Sequence, residues 1–191
     1  MIWSIFSGAS LLNLVLLFIF TLLGSLGMPG TLVWIVASGA LASSISDVIP
    51  LIIIVATAAI SGDILAYELA SKFTAAISSR LLKFKSFQKH EHKARDMLKK
   101  SEFSFVFLSR FVFTSIGWFV SYISGLQRIN KRKYITAVVL GETLYASLYT
   151  LLGFMFKETW LELTSIIKDI TWVLVFLLIM GIILRIFYYK K

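Results

Sequence analysis

The sequence predicts an all-α polytopic membrane protein, with about four transmembrane helices, two opposed re-entrant hairpins and one amphipathic interfacial helix. Three observations lead there. Hydrophobic residues make up 58% of the 191 positions and charged residues only 15%, where a soluble domain carries about a quarter charged. Residues Met1 to Ser46 contain no charge at all. The basic residues that do occur are gathered into a few stretches between long apolar runs. A water-facing surface cannot be covered this way, so soluble enzymes and disordered chains are excluded. Cysteine is absent, which excludes a disulfide scaffold.

A membrane helix needs about 20 apolar residues, so the uncharged opening is too long for one crossing. Leu11–Leu26 reads as a membrane helix that is retained, because no basic segment precedes it as a signal peptide would require. Residues 28–46 begin with Met28-Pro29-Gly30, which breaks a helix, and weaken again at Ser38-Gly39. They read as a re-entrant hairpin. Val48–Leu69, with Asp63 and Glu68 near its end, is a transmembrane helix. Residues 70–102 form a basic cytoplasmic linker, with nine Lys or Arg against three acids between Lys72 and Glu102. Leu69, Phe73, Ile77, Leu81 and Phe84 recur there at helical spacing, as in a helix lying in the headgroup plane.

Phe103–Leu126 lies between that linker and the basic run Arg128–Lys133. Lys and Arg in short loops mark the cytoplasmic side, so a single crossing would put one basic run on the wrong side. The segment therefore enters and returns as a second hairpin, with its turn near Thr114-Ser115-Ile116-Gly117. Tyr134–Phe156 and Ile170–Tyr189 complete the set as transmembrane helices. Parity places the N-terminus in the cytoplasm, and the basic run Arg185–Lys191 places the C-terminus there. Two hairpins entering from opposite faces imply a polar pathway between their tips, because non-helical backbone at membrane depth must be buried in protein or line a wet cavity.

Chemistry-bearing residues are few. Arg110 is the lone charge of its apolar stretch, and a charge at that depth needs a partner or water. Its forked guanidinium suits the phosphate of an anionic headgroup, the favoured reading; the alternative is a structural ion pair with Asp63 or Glu142, and both can hold, the lipid competing for the pair. Those two acids read either as proton acceptors or as plain counter-ions. Tyr122, with Tyr145 and Tyr149, reads as cavity lining or as interface filler. Pro29, Gly30, Gly39, Gly117 and Gly125 are assigned to breaking and turning the hairpins, the alternative being close helix packing. His90 and His92 are spaced i, i+2 and point apart, so no metal site is expected. No hydrolase, metalloprotease or phosphate-loop motif is present, and no cofactor or enzymatic activity is expected. The basic charge comes with no nucleic-acid recognition fold.

The run Gly62-Asp63-Ile64-Leu65-Ala66-Tyr67, the basic linker, Phe107-Leu108-Ser109-Arg110-Phe111 and Tyr122-Ile123-Ser124-Gly125-Leu126 together resemble the DedA family. Its members carry the VTT, or SNARE-associated Golgi protein, domain. The resemblance covers roughly Met28 to Phe156. It implies two facing re-entrant hairpins in a bacterial or archaeal inner membrane. It also implies movement of an anionic lipid, undecaprenyl phosphate or a phospholipid, between leaflets. Proton coupling, through acids near the first hairpin and arginines on the second, belongs to the same implication. Thr31 stands where many members place a glutamate, Phe113 where a proline is usual, and Ile116 where a second arginine is common. A coupled transporter of a soluble solute and a non-transporting membrane scaffold remain the alternative readings. Lipid identity and oligomeric state are not legible.

Overall fold

The computed structural model describes residues 11–75, 98, 101–111 and 116–159. Two compact units divide the chain, Met1–Met155 and Phe156–Lys191; of the second, only residues 156–159 are described. The first unit contains α1 (Leu11–Ser25), α2 (Thr31–Ala40), α3 (Ile45–Lys72), α4 (Glu102–Phe111), α5 (Gly117–Leu126) and α6 (Lys131–Met155). The described residues contain helices and turns and no strand.

Helix length separates these elements into two kinds. α3 has 28 residues and α6 has 25, about 42 and 37 Å at 1.5 Å per residue, against a hydrocarbon core of about 30 Å. Both are long and apolar enough to cross a membrane. α1 has 15 residues, and α2, α4 and α5 have 10 each, about half the core thickness or somewhat more.

Small residues let the long helices come close. The buried face of α3 reads Ala59, Gly62, Asp63, Ala66, Ala70, a stripe at spacings of three and four that keeps side chains thin along one face. α6 answers with Ala137, Val138, Gly141, Glu142 and Ala146. α3 packs against α1, α5 and α6, while α6 also receives α2 and α4. Asn130 caps α6, its Oδ1 accepting from the backbone N–H of Arg132 and Lys133 at 3.0 and 3.2 Å. This satisfies two of the four free donors at a helix start.

Charged side chains hold the end of α3 to the start of α6. Glu68 pairs with Lys131 and, at 3.6 Å, with Lys72. Below them the Tyr67 hydroxyl donates to the Ile129 carbonyl at 2.8 Å, and the Tyr67 and Tyr134 rings stack at 4.6 Å. The exposed ion pairs add little stability; the buried tyrosine contact fixes the register.

The first hairpin differs from its expected limits. Instead of a separate helix over 11–26 and a hairpin over 28–46, α1 and α2 fold back on each other across Leu26–Gly30. Phe20 of α1 stacks on Trp34 of α2, ring centroids 5.0 Å apart and planes within 7°, and Gly24 lies against the Thr31 side chain. The physical reason is local. Gly27 and Gly30 have φ of +116° and +97°, where a side chain is strained, and Pro29 between them has no N–H for a continuing helix. Pro29-Gly30 therefore sits in the reversal and not at the foot of a limb.

Gly39 is likewise not a turn, since α2 runs through Ser38-Gly39 to Ala40. Its missing side chain admits the Thr150 carbonyl of α6, and Gly153 of α6 admits the Val36 carbonyl of α2. Gly117 opens α5 and Gly125 lies within it, packed on the Tyr67 carbonyl and Ala70 of α3. Within the 103–126 stretch the described residues form two helices, α4 and α5; Thr114 and Ser115 of the expected turn lie outside the described residues. Most of the 70–102 linker, both histidines and the 170–189 helix lie outside the described residues.

Candidate functional site: a buried charge cluster joining four helices

Arg110 ends α4, eight residues and about 12 Å beyond Glu102 along the helix axis. Its side chain is 1% exposed, as is that of Asp63 on α3, and Glu142 on α6 is 9% exposed. Arg110 Nη1 stands 3.2 Å from Asp63 Oδ1, and Nε stands 3.8 Å from Glu142 Oε1. Asp63 and Glu142 also interact with each other. One guanidinium thus serves two carboxyl groups drawn from the two long helices. Fully ionised, the trio carries a net charge of −1; one shared proton makes it neutral.

Ser121 of α5 ties the pair together. Arg110 Nη2 donates to Ser121 Oγ at 2.6 Å, and Ser121 Oγ donates to Asp63 Oδ1 at 2.8 Å. The Tyr134 hydroxyl donates to the Asp63 backbone carbonyl at 2.9 Å and also lies 2.8 Å from Ser121 Oγ. Hydrogen bonds to charged groups in a dry site are worth more than neutral ones. Ser121→Ala is therefore expected to destabilise the folded protein by about 1–3 kcal/mol, the cost of leaving buried partners unmet. Chemical unfolding in detergent micelles measures it, and a variant as stable as the parent would show that the bridge carries nothing.

Glycine makes room for the guanidinium. A Cβ at Gly141 would stand 2.8 Å from Arg110 Cβ, and one at Gly117 would stand 2.9 Å from Arg110 Nη1. Gly117 thus gives passage to the Arg110 side chain as well as starting α5. Gly62, beside Asp63, lets α1 approach, since a Cβ there would meet the Leu22 carbonyl at 2.7 Å.

Beside these contacts lies a cavity of about 70 Å³ lined by Asp63, Arg110 and Glu142, with Thr21, Thr31 and Tyr145 among its other walls. That volume is enough for a few water molecules. Asp63 Oδ2, Arg110 Nε and Thr21 Oγ1 are buried without hydrogen-bond partners. The cavity lies where the turn of the α1–α2 hairpin meets the start of α5. There the Trp118 ring lies against Gly27, 3.3 Å from where a Cβ would stand, and the Tyr122 hydroxyl donates to the Leu26 carbonyl at 3.3 Å.

The structure thus brings Asp63, Arg110 and Glu142 together and places Pro29 and Gly30 in the adjacent turn. Tyr122 is elsewhere: its hydroxyl holds the first hairpin's turn and is not part of the cavity wall. Ser121, Tyr134 and Thr21 escape the sequence reading, because an uncharged hydroxyl in an apolar run looks the same on a lipid-facing side as on a buried one. The sole signal for Ser121 is that it falls on the same face of α5 as Gly117 and Gly125.

The VTT-domain family model matches residues 28–155, from the first hairpin's turn to the end of α6. The chain belongs to the DedA family. Neither curated proteins nor solved structures yield a match. This DedA protein is a membrane protein, with α3 and α6 as its membrane-crossing candidates. The charge cluster lies wholly inside the matched region, whereas α1, which supplies Thr21, precedes it.

Proposed function

We propose that this DedA protein moves an anionic lipid, such as a polyprenyl phosphate or an anionic phospholipid, between leaflets. The α1–α2 and α4–α5 pairs act as re-entrant hairpins that meet inside the membrane. The observation that carries the reading is Arg110, buried among α3, α5 and α6 and held by two acids over a cavity with unpaired polar atoms. Half-length helices meeting at a buried charge are the architecture by which transporters hold polar cargo at membrane depth.

In this mechanism the headgroup phosphate takes the place of a carboxylate on Arg110, whose fork binds either oxyanion bidentately. The displaced acid takes up a proton, because a carboxylate without its counter-ion is costly to keep charged in a dry site. Release reverses both steps, so lipid movement is coupled to protonation of the Asp63–Glu142 pair. The resting cavity is too small for a headgroup, so admission requires the Trp118–Tyr122 contact with Leu26–Gly27 to part.

Leaflet exchange in proteoliposomes tests this, using a labelled polyprenyl phosphate and labelled phosphatidylglycerol, with and without a pH gradient. Exchange well above protein-free vesicles is expected, with Arg110→Lys slower than the parent because an ammonium lacks the fork. Folded protein that exchanges neither lipid would overturn the proposal in favour of a soluble solute or a scaffold.

A further inference from the structure

A second cavity lies within the first hairpin, between α1, α2 and the start of α3. It has a volume of about 370 Å³ and shares no lining residue with the Arg110 cavity. Its walls are Leu14, Leu17 and Phe20 of α1, Trp34 and Ala37 of α2, and Leu51 of α3. Toward the turn it runs up to the stacked Phe20 and Trp34 rings. Leu17 and Leu51 form a buried floor, whereas Leu16, Trp34 and Leu41 on the rim are exposed. The groove therefore opens outward.

Polarity along the groove is one-sided. Asn13, Ser43 and Asp47 also line it, and all three belong to the open end of the hairpin, where α1 begins and α2 gives way to α3. Asp47 is held there by Ser44, whose N–H and hydroxyl both donate to Asp47 Oδ2 at 3.0 and 3.1 Å. A groove with an apolar depth and a polar mouth fits an amphiphile inserted tail first. Leu11 and Leu12 at the start of α1 and Leu41 at the end of α2, at that same open end of the hairpin, are exposed, so hydrocarbon chains are what a membrane brings to it.

We propose that this groove is a lipid-tail site, holding one hydrocarbon chain of a membrane lipid with its headgroup at the Asn13–Asp47 mouth. It rests on the hairpin lying in a membrane and not on lipid exchange, so the two readings fail separately. The stacked Phe20 and Trp34 rings set the depth to which the chain penetrates. A chain bound there stiffens the hairpin whose turn faces Arg110.

The test uses the full chain in nanodiscs of phosphatidylethanolamine and phosphatidylglycerol, doped with phosphatidylethanolamine bearing a diazirine on its tail, whose ammonium complements the Asp47 carboxylate at the mouth. A second arm uses a diazirine-tailed polyprenyl phosphate, and comparison of the arms tells which kind of tail is held. After illumination, label is mapped by mass spectrometry. Label at Leu17, Trp34 and Ala37 is expected to exceed that at the exposed α3 residues Ile49 and Ile53 by about tenfold, equivalent to ~1.4 kcal/mol of preference. Ala37→Phe, which fills the groove, is expected to remove that excess while leaving label at Ile49 and Ile53 unchanged. Should Ala37→Phe fail to elute as folded protein, Ser38→Leu on the same wall replaces it. Even labelling of all exposed positions would overturn the proposal, as would an excess that survives filling. Groove residues labelled less than Ile49 would mean that protein, from this chain or a second copy, covers the groove, and would overturn it equally.

Discussion

Arg110→Met is expected to destabilise the protein by about 3–5 kcal/mol, the range for removing one partner of a buried ion pair, and to abolish lipid exchange. The loss comes less from the interactions removed than from what is left behind. Asp63 and Glu142 would remain buried side by side, with no cation among the described residues beside them and the Ser121 hydroxyl still donating to Asp63. Charge accounting then ranks the neighbouring variants. Asp63→Asn leaves one guanidinium facing one carboxylate, Arg110 Nε to Glu142 Oε1 at 3.8 Å, so it is expected to be far milder than Arg110→Met. The double variant Arg110→Met, Asp63→Asn should regain part of the lost stability, because residues in one network do not act additively. Unfolding titrations in micelles, run as a double-mutant cycle, measure all three. If Arg110→Met unfolds with the parent, the cluster is not what joins α3, α4 and α6.

The second large effect is expected at Gly153. The α2–α6 contact is backbone against backbone: Gly153 faces the Val36 carbonyl and Gly39 faces the Thr150 carbonyl. Nothing flexible lies there to move aside, so Gly153→Leu must push the helices apart. Overpacking of well-packed sites costs about 1–3 kcal/mol where side chains can yield, and this position should reach or exceed the top of that range. The chain has no cysteine, which allows a clean readout. Ala40 is buried at the end of α2, so Ala40→Cys should resist maleimide in the parent background and react readily when Gly153→Leu is added. Continued protection, with an unchanged thermal midpoint, would show that α2 does not depend on this seam. Exposed ion pairs such as Glu102–Lys133, at 3.5 Å, are expected to matter far less, since surface pairs contribute at most about 1 kcal/mol.

Much of the cluster was legible from one fact, the expense of charge at membrane depth. That argument needs only the position of Arg110 in an apolar run and the existence of two acids on other apolar helices. It does not need to know which acid is nearer, and the structure answers with both. Tyr122 shows the limit of the same reasoning. An aromatic hydroxyl in an apolar segment must find a partner, yet the sequence cannot say whether that partner is cargo or, as here, the Leu26 carbonyl. The first hairpin shows another limit. Pro29 and Gly30 announce a break in either arrangement, and only the pairing of Phe20 with Trp34 reveals that the helix before the break is one limb of the hairpin.

The sequence by itself determined the helical class, the membrane as surroundings, the two long helices and the family. These follow from composition, run length and motif order, which are properties of the chain taken along its length. Tertiary structure alone decided that Ser121 and Tyr134 hold Arg110 on Asp63, that Gly117 and Gly141 make room for the guanidinium, and that Gly39 and Gly153 join two helices instead of turning one. The physical reason is that hydrogen bonds and backbone contacts depend on which faces of separate helices meet. A glycine or serine in an apolar run carries no mark of the neighbour it was placed there to admit.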